Sequence, residues 1–261
     1  MTSPVGYSLG MEREGVTLPA GIGFSFCCDD EPEGLAAAAF LHPSEERLWR
    51  SLRYPLRQAN YILGRRAAKA ALGICFPLVR PAEIEIAHGV FGQPILRGGG
   101  TAGEVSLAHS RGAAVGVACI EGHPIGVDVE WIDPERADAV RTCVTSEEMA
   151  LWEQVEIAPL EASFVSWSAR EALGKALRCG LTVPFHLLAL DGVAPEPGSY
   201  RANFLNFPQF TARSWVIGGY ALSIVIPKRT SLKFSPPQEV RQGLAEAASR
   251  SAASPVNLRA D

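Results

Sequence analysis

The chain has 261 residues, of which 47% are hydrophobic and 20% charged, an ordinary balance for a globular protein. This length fits one large domain or two smaller ones that share an interface. The net charge of -4 gives no overall signature of nucleic-acid binding, and no apolar run approaches the roughly 18 residues of a membrane span. The charged start and six cysteines without metal-ligand spacing favour a cytoplasmic protein with reduced thiols.

The amino-terminal half predicts an early strand, a helical region and a series of strands. Pro43-Ser-Glu-Glu46 is typical of a helix start, and apolar residues recur at helical spacing as far as Gly73. The apolar runs that follow are shorter, as in strands, and Gly98-Gly-Gly100 separates two of them as a turn. The predicted elements are a strand at 21–27, a helical region at 42–73 and strands at 84–86, 91–96, 105–108, 113–120 and 125–131.

The carboxy-terminal half predicts a second helical region and further strands. Thr145-Ser-Glu-Glu148 is typical of a helix cap, and the apolar face continues to residue 177. The later strands are predicted at 187–190, 210–216 and 220–226. The apolar pattern ends after residue 227, and the tail from residue 235 predicts a weak helix followed by disorder.

The two halves of the sequence resemble each other. Gly64-Arg-Arg-Ala-Ala-Lys-Ala-Ala-Leu72 is similar to Arg170-Glu-Ala-Leu-Gly-Lys-Ala-Leu177, and each is followed, roughly 45 to 50 residues later, by a turn and a strand. Chance similarity between alanine-rich helices is the alternative. The repeat predicts an α+β protein with two pseudo-symmetric halves, each a small antiparallel sheet packed with a long helix. A cleft between them favours ligands. The predicted limits are 1–124 and 125–230, with a tail at 231–261.

Two acidic positions stand out in Gly126-Val-Asp-Val-Glu130. Strand alternation places Asp128 and Glu130 on one face. Adjacent carboxylates repel each other unless a cation or a proton intervenes, and magnesium selects hard oxygen ligands. The alternative is the solvated face of an edge strand.

A second pair of charges lies in Trp167-Ser-Ala-Arg-Glu-Ala-Leu-Gly-Lys175. Glu171 and Lys175 are one helical turn apart, and such a pair is commonly a surface ion pair that contributes about 0.3 to 0.5 kcal/mol. The helix is otherwise largely apolar, so we expect at least one of these charges to be only partly solvated.

Weaker signals lie upstream. His109 and Ser110 follow a predicted strand, where side chains are well placed to hold a phosphate, although a single histidine is more often structural. Arg65, Arg66 and Lys69 form a basic helical cluster, which is usually a solvated face.

In order and spacing these segments resemble the surfactin-type 4'-phosphopantetheinyl transferases. That family has a (V/I)G(V/I)D(V/I)E strand followed some forty residues later by a W(S/T)xKE(A/S)xxK helix. The matching segments are Gly64-Arg65 with Lys69, Phe91-Gly-Gln-Pro94, Ser106-Leu-Ala-His-Ser110, Ile125-Gly-Val-Asp-Val-Glu130 and Trp167-Ser-Ala-Arg-Glu-Ala-Leu-Gly-Lys175.

The resemblance implies a magnesium-dependent enzyme that works as a monomer on coenzyme A and an apo-carrier protein, with coenzyme A and magnesium bound between the halves. It implies Asp128, Glu130 and Glu171 as metal ligands and Lys175 beside the diphosphate. Glu171 and Lys175 are the expected catalytic residues. Glu171 is expected to accept the serine proton, and Lys175 to neutralise phosphate charge and protonate the leaving group. The expected coenzyme A contacts, besides Lys175, are Arg65, Lys69, Gln93, His109, Ser110 and Arg170.

Three positions depart from the family pattern. Arg170 and Gln93 stand where the family usually has lysine, and Ala108 replaces a serine. None is a carboxylate, so we expect activity to survive and coenzyme A affinity to change. The alternatives are a catalytically impaired interaction module of the same fold and a magnesium-dependent enzyme acting on another diphosphate ester. The sequence does not choose among fatty-acid, polyketide and nonribosomal-peptide carriers.

Overall fold

A computed structural model of the protein describes residues 4–27, 39–100 and 102–253, and it combines α-helices with antiparallel sheets. The α+β class is therefore confirmed. The described helices are α1 (Pro43–Ser51), α2 (Pro55–Cys75), α3 (Ala137–Arg141), α4 (Ser146–Trp152), α5 (Pro159–Ala176) and α6 (Gln238–Ala253). The described strands are β1 (Val5–Ser8), β2 (Met11–Arg13), β3 (Val16–Leu18), β4 (Ala20–Phe26), β5 (Glu85–His88), β6 (Pro94–Arg97), β7 (Gly103–Ser110), β8 (Ala113–Ile120), β9 (Gly126–Trp131), β10 (Leu190–Glu196), β11 (Ser199–Phe204), β12 (Phe210–Ile217), β13 (Tyr220–Pro227) and β14 (Thr230–Leu232).

Two antiparallel sheets form the halves of the molecule. Within the described residues, the first sheet has the strand order β1-β4-β8-β7 and packs against α2, and the second has the order β10-β11-β12-β13-β9 and packs against α5. Sheet membership changes between β8 and β9. Two smaller sheets, β14-β2-β3 and β5-β6, complete the fold.

The main sheets are covered on both faces, and strand alternation decides which side chains meet which helix. Val127 and Val129 of β9 point into a core shared by the two sheets. Gly126, Asp128 and Glu130 therefore face the other way, towards α5. This is the structural reason that two acidic side chains of a buried strand reach a helix.

Glycines in the strands allow unusually close contact with the alanine-rich helices. A Cβ built on Gly126 would lie 1.9 Å from the carbonyl oxygen of Ala172 in α5. In the first half, a Cβ on Gly23 would lie 2.2 Å from the carbonyl oxygen of Ala67 in α2. The repeated Ala-rich sequence thus corresponds to a repeated close helix–sheet contact.

A buried ion pair in the first half ties a short helix to the long one. Glu45 forms a capping box at the start of α1 and accepts a hydrogen bond from the backbone N–H of Ile86 at 3.1 Å. Its carboxylate lies 3.1 Å from Nε of Arg65 in α2, and both side chains are almost fully buried.

An equivalent pair occupies the second half. Glu148 forms a capping box with Thr145 at the start of α4, as the sequence predicts, and accepts from the backbone N–H of Leu190 at 2.8 Å. It pairs with Arg170 of α5, again with both side chains buried. The same glutamate, long-helix arginine and following strand therefore recur in both halves, which supports their pseudo-symmetry.

The halves meet where β7 lies beside β9. Ser106 Oγ accepts a hydrogen bond from the backbone N–H of Val127 at 3.1 Å, and Ser110 Oγ accepts one from Trp131 at 3.0 Å. Serine side chains thus satisfy donors on this edge of β9. They fix the first half relative to the strand that carries Asp128.

The structure differs from the sequence prediction in four places. The strand predicted at 91–96 begins only at Pro94, because residues 89–93 form a turn. The predicted helical region at 42–73 is divided before Pro55, because proline cannot continue the preceding hydrogen-bond pattern. The predicted strand at 187–190 is instead a 3-10 turn at Phe185–Leu188, with β10 beginning at Leu190. In the tail, Val240 and Leu244 of α6 are buried in the shared core. Residues 254–261, where disorder is predicted, lie outside the described residues.

Among the described residues, no helix has the length and apolar character needed to cross a membrane.

Candidate functional site

Three carboxylates converge between β9 and α5. Asp128, Glu130 and Glu171 each offer an oxygen, and these atoms lie within 4.8 Å of one another. Asp128 is 2% exposed, and its buried Oδ2 atom has no hydrogen-bond partner among the described residues. A buried carboxylate oxygen normally has a partner. The donor set and this unpartnered atom both fit a site that could hold a metal ion.

Lys175 lies beside these carboxylates. Its Nζ atom is 2.7 Å from Asp128 Oδ1 and 3.9 Å from Glu171 Oε2. The four-residue spacing on α5 places Lys175 on the same helix face as Glu171. The predicted acidic strand and the predicted Glu–Lys helix therefore meet in one cluster.

The carboxylates perturb one another. Burial, reinforced by the negative charge of Asp128, raises the pKa of Glu171 to about 7, although Lys175 opposes this change. Burial and Asp128 also raise the pKa of Glu130, with Arg136 acting in the opposite direction. The cluster thus carries more negative charge than its surroundings readily accommodate, and a cation would relieve the repulsion.

Groups from the first half and from the segment after β9 surround Glu130. Ser110 Oγ donates to Glu130 Oε2 at 3.3 Å, and Arg136 Nη1 lies 3.3 Å from the same oxygen. Burial and the nearby Lys175 ammonium lower the pKa of His109 below its usual value, although the negative charge of Asp128 opposes this change. Ser110 and His109 therefore adjoin the acidic cluster, where the sequence places a ligand contact.

A cavity of about 240 Å³ opens beside the cluster and is lined by both halves. Arg65, His88 and Gln93 contribute from the first half, and Lys175 and Arg178 from the second. Lys175 therefore lies both at the acidic cluster and on the cavity wall. This position suits a ligand whose negative charge extends from the cavity towards the carboxylates.

The loop before β6 forms one wall of the cavity. The backbone N–H of Gly89 donates to the carbonyl oxygen of Gln93 at 2.7 Å, and that of Phe91 donates to Gln93 Oε1 at 2.9 Å. Gln93 is thus the residue that closes this loop through its side chain. Phe91, which is 70% exposed, presents its ring next to the cavity.

Lys69, an expected coenzyme A contact, is buried in the first half of the molecule. Its ammonium lies 2.9 Å from Glu45 and donates to the carbonyl oxygens of Pro81, at 2.8 Å, and Ile84. These partners use all three of its donors, and the residue is 2% exposed. Lys69 is therefore a buried structural cation, not the solvated one that a basic helical cluster suggests.

Arg170, another expected coenzyme A contact, is also buried. It is 1% exposed, pairs with Glu148 and donates to the carbonyl oxygen of Cys143. Its neighbour Glu171 faces the acidic cluster, because adjacent helix residues point in different directions. Arg65 differs from both, since it pairs with Glu45 yet also lines the cavity.

The residues immediately after α5 form a Schellman motif that sequence reasoning missed. The backbone N–H of Arg178 donates to the carbonyl oxygen of Lys175, and that of Cys179 donates to Gly174, both at 3.0 Å. Arg178 has φ 57°, a position that glycine usually occupies. Left-handed backbone costs other residues roughly 1 to 2 kcal/mol.

Residues 124–225 match the model of the 4'-phosphopantetheinyl transferase superfamily. This stretch contains Asp128, Glu130, Glu171 and Lys175, and the residues that the first half contributes to the cavity lie outside it. Among solved structures, the holo-[acyl-carrier-protein] synthase (AcpS) of Thermotoga maritima is similar to 42% of this chain and 68% of that one, at 26% identity and a TM-score of 0.32. No curated protein matches the chain.

Sequence reasoning also missed the supporting contacts of Ser106 and Glu104. Ser106 lies within the predicted Ser-Leu-Ala-His-Ser segment, but its bond to the backbone of β9 depends on the pairing of distant strands. Glu104 precedes that segment and pairs with Arg178 across the cavity. Neither contact has a signal in local sequence.

Proposed function

We propose that the protein is a magnesium-dependent 4'-phosphopantetheinyl transferase of the surfactin type. It moves the 4'-phosphopantetheine arm of coenzyme A to a serine of an apo-carrier protein and releases adenosine 3',5'-bisphosphate. The observation that carries the proposal is the cluster of Asp128, Glu130 and Glu171, with Lys175 beside it, on a cavity lined by basic residues of both halves. The superfamily match covers this cluster.

Asp128, Glu130 and Glu171 would hold the magnesium ion. When bound, the ion neutralises negative charge on the diphosphate of the substrate. The fit rests on three oxygen donors, on the unpartnered Asp128 Oδ2 atom and on the raised pKa values of Glu130 and Glu171. Ser110 and Arg136 hold Glu130 in place.

The cavity would bind the nucleotide portion of coenzyme A. Lys175 can bridge from Asp128 to the diphosphate, because it borders both the cluster and the cavity. Arg65 and Gln93 lie on the opposite half, where they can contact the same ligand. Their arrangement would orient the diphosphate so that its pantetheine side faces an incoming serine.

In the proposed reaction, the serine oxygen attacks the phosphorus atom attached to pantetheine. A new oxygen–phosphorus bond forms while the bond from that phosphorus to the bridging oxygen breaks. The bridging oxygen leaves with the electron pair as part of adenosine 3',5'-bisphosphate. Lys175 neutralises the charge that develops there. We assign Glu171 to accept the serine proton, because its side chain remains partly accessible and lies 3.9 Å from Lys175, which lines the cavity.

The deciding experiment is mass spectrometry of purified apo-carrier proteins after incubation with coenzyme A, magnesium and the enzyme. Fatty-acid, polyketide and nonribosomal-peptide carriers form the panel. At least one should gain the mass of a phosphopantetheine arm, and Glu171→Gln should abolish this gain. Glu153→Gln is the matched control, because Glu153 is exposed and lies outside the cluster.

An unmodified panel would contradict the transferase proposal. Binding of coenzyme A without transfer would favour the impaired interaction module, whereas cleavage of coenzyme A without a heavier carrier would favour action on another acceptor. We also propose that the enzyme is cytoplasmic and that it works as a monomer. Both walls of the cavity come from one chain, which supports the monomer. Sedimentation analysis tests the monomer.

A further inference from the structure

An ion pair crosses the cavity between the two halves. Arg178, just beyond α5, pairs with Glu104 of β7, and both residues line the cavity. The Arg178 side chain is 48% exposed and that of Glu104 is 14% exposed. The pair thus lies at a solvent-accessible part of the cavity wall, where a ligand can reach the guanidinium group.

The stability of the fold does not account for an arginine at this position. Arg178 occupies the left-handed position of the Schellman motif, where glycine is favoured because it has no Cβ. The Arg178 side chain is about half-exposed, so water solvates its charge and the pair with Glu104 contributes little to stability. The left-handed backbone of Arg178 therefore places a side chain at the cavity wall.

The other basic groups of the cavity have stronger attachments inside the protein. The Arg65 guanidinium is buried against Glu45 and donates to the carbonyl oxygen of Ile86. Lys175 lies 2.7 Å from Asp128. The Arg178 side chain is more exposed than that of Arg65 or Lys175. A guanidinium group can bind a phosphate through two parallel hydrogen bonds.

We propose that Arg178 binds a phosphate group of the nucleotide substrate and that Glu104 is its internal counter-ion, which the phosphate displaces. Arg178 is then a substrate-binding residue of this chain in addition to the carboxylate cluster. Glu104 keeps the guanidinium directed across the cavity before the ligand arrives. The inference rests on the proposed function for the identity of the ligand.

The proposal predicts that replacing Arg178 and replacing Glu104 change ligand affinity in opposite directions. Arg178→Gly removes the phosphate contact while relieving the left-handed backbone, so loss of folding is not expected to obscure the result. It should weaken binding of coenzyme A and of adenosine 3',5'-bisphosphate about tenfold, as for the loss of one charge-assisted contact. Glu104→Gln removes the competing carboxylate and should strengthen binding of both.

Isothermal titration with each ligand measures these effects without requiring transfer. Arg178→Lys is the conservative control, and it should retain part of the affinity because it keeps the charge but not the planar fork. In the transfer assay, Arg178→Gly should act mainly on KM rather than kcat. A structural clamp alone would make Arg178→Gly and Glu104→Gln change affinity in the same direction, which overturns the proposal.

Unchanged affinity in Arg178→Gly also overturns it, as does wild-type protein that binds neither ligand. These results are distinguishable from failure of the transferase proposal. Normal carrier modification with unchanged Arg178→Gly affinity rejects only the role of Arg178. Tight, Arg178-dependent binding without carrier modification rejects only the transfer reaction.

Discussion

The Lys175 ammonium lies 2.7 Å from Asp128 Oδ1, so a cation of the chain itself adjoins the carboxylates that could hold a metal ion. This contact offsets part of the repulsion among Asp128, Glu130 and Glu171. It also means that Lys175 and a bound metal compete for negative charge on the same groups. Under the proposed function, Lys175 would therefore link metal affinity to phosphate binding.

Replacing Lys175 with methionine should separate these two effects. Without the ammonium, magnesium should bind more tightly and raise Tm by more than in the wild type, because ligand binding stabilises the folded state. Carrier modification should nevertheless fall about a hundredfold, since the diphosphate loses a cationic partner. Thermal unfolding with and without magnesium, combined with the mass assay, measures both quantities. A parallel loss of the magnesium effect would contradict this division.

The pKa of Glu171 predicts how magnesium binding depends on pH. Its rise from an ordinary value of 4.5 to about 7 means that the folded protein holds a proton that the unfolded chain releases. The protonated Glu171 side chain therefore stabilises the folded protein at low pH, and this stabilisation is lost as pH rises through about 7. Magnesium competes with that proton, so it should raise Tm more at pH 8 than at pH 6.

Thermal unfolding of Glu171→Gln supplies the control for this pH dependence. The glutamine cannot ionise, so in the absence of magnesium the change in Tm between pH 6 and pH 8 should be smaller than in the wild type. An equal magnesium effect at both pH values in the wild type would be evidence against a protonated Glu171 in the folded protein.

Arg170 should matter for stability because its partner is buried. Arg170→Met leaves Glu148 without its cation and should lower the free energy of unfolding by about 3 to 5 kcal/mol. Arg201→Met is a suitable control, because the Arg201–Glu196 pair is much more exposed and should contribute less than about 1 kcal/mol. Urea unfolding compares the two. Equal losses would contradict the assignment of Arg170 to a buried structural pair.

Gly126 should tolerate no side chain, because a Cβ would lie 1.9 Å from the Ala172 carbonyl oxygen. Gly126→Ala is expected to lower the free energy of unfolding by about 3 kcal/mol or more by forcing β9 away from α5. The same displacement separates Asp128 from Glu171, so the magnesium-induced rise in Tm should also decrease.

Gly73→Ala provides the opposite case on α2, where a Cβ meets no atom within 4 Å. It should stabilise the protein by about 0.5 to 1 kcal/mol, because alanine favours the helix. Urea unfolding of both variants distinguishes a close helix–sheet contact from a general sensitivity to alanine at glycine positions.

Local pattern was sufficient for much of the fold. The capping sequence at Thr145 predicts a helix start, and it forms one. The alternation in β9 correctly places Asp128 and Glu130 on one face, and the four-residue spacing does the same for Glu171 and Lys175. The strand predicted at 187–190 was wrong, because a short apolar run does not distinguish a strand from a 3-10 turn.

The sequence by itself determined the candidate acidic residues, since strand and helix periodicity are local properties of the backbone. Only the tertiary structure brought the strand and helix together, through the close contact at Gly126. It also decided that Lys69 and Arg170 are buried in ion pairs, whereas Arg178 reaches the cavity. Charge can be read from residue type, but burial and the choice of partner depend on residues that are distant in the chain.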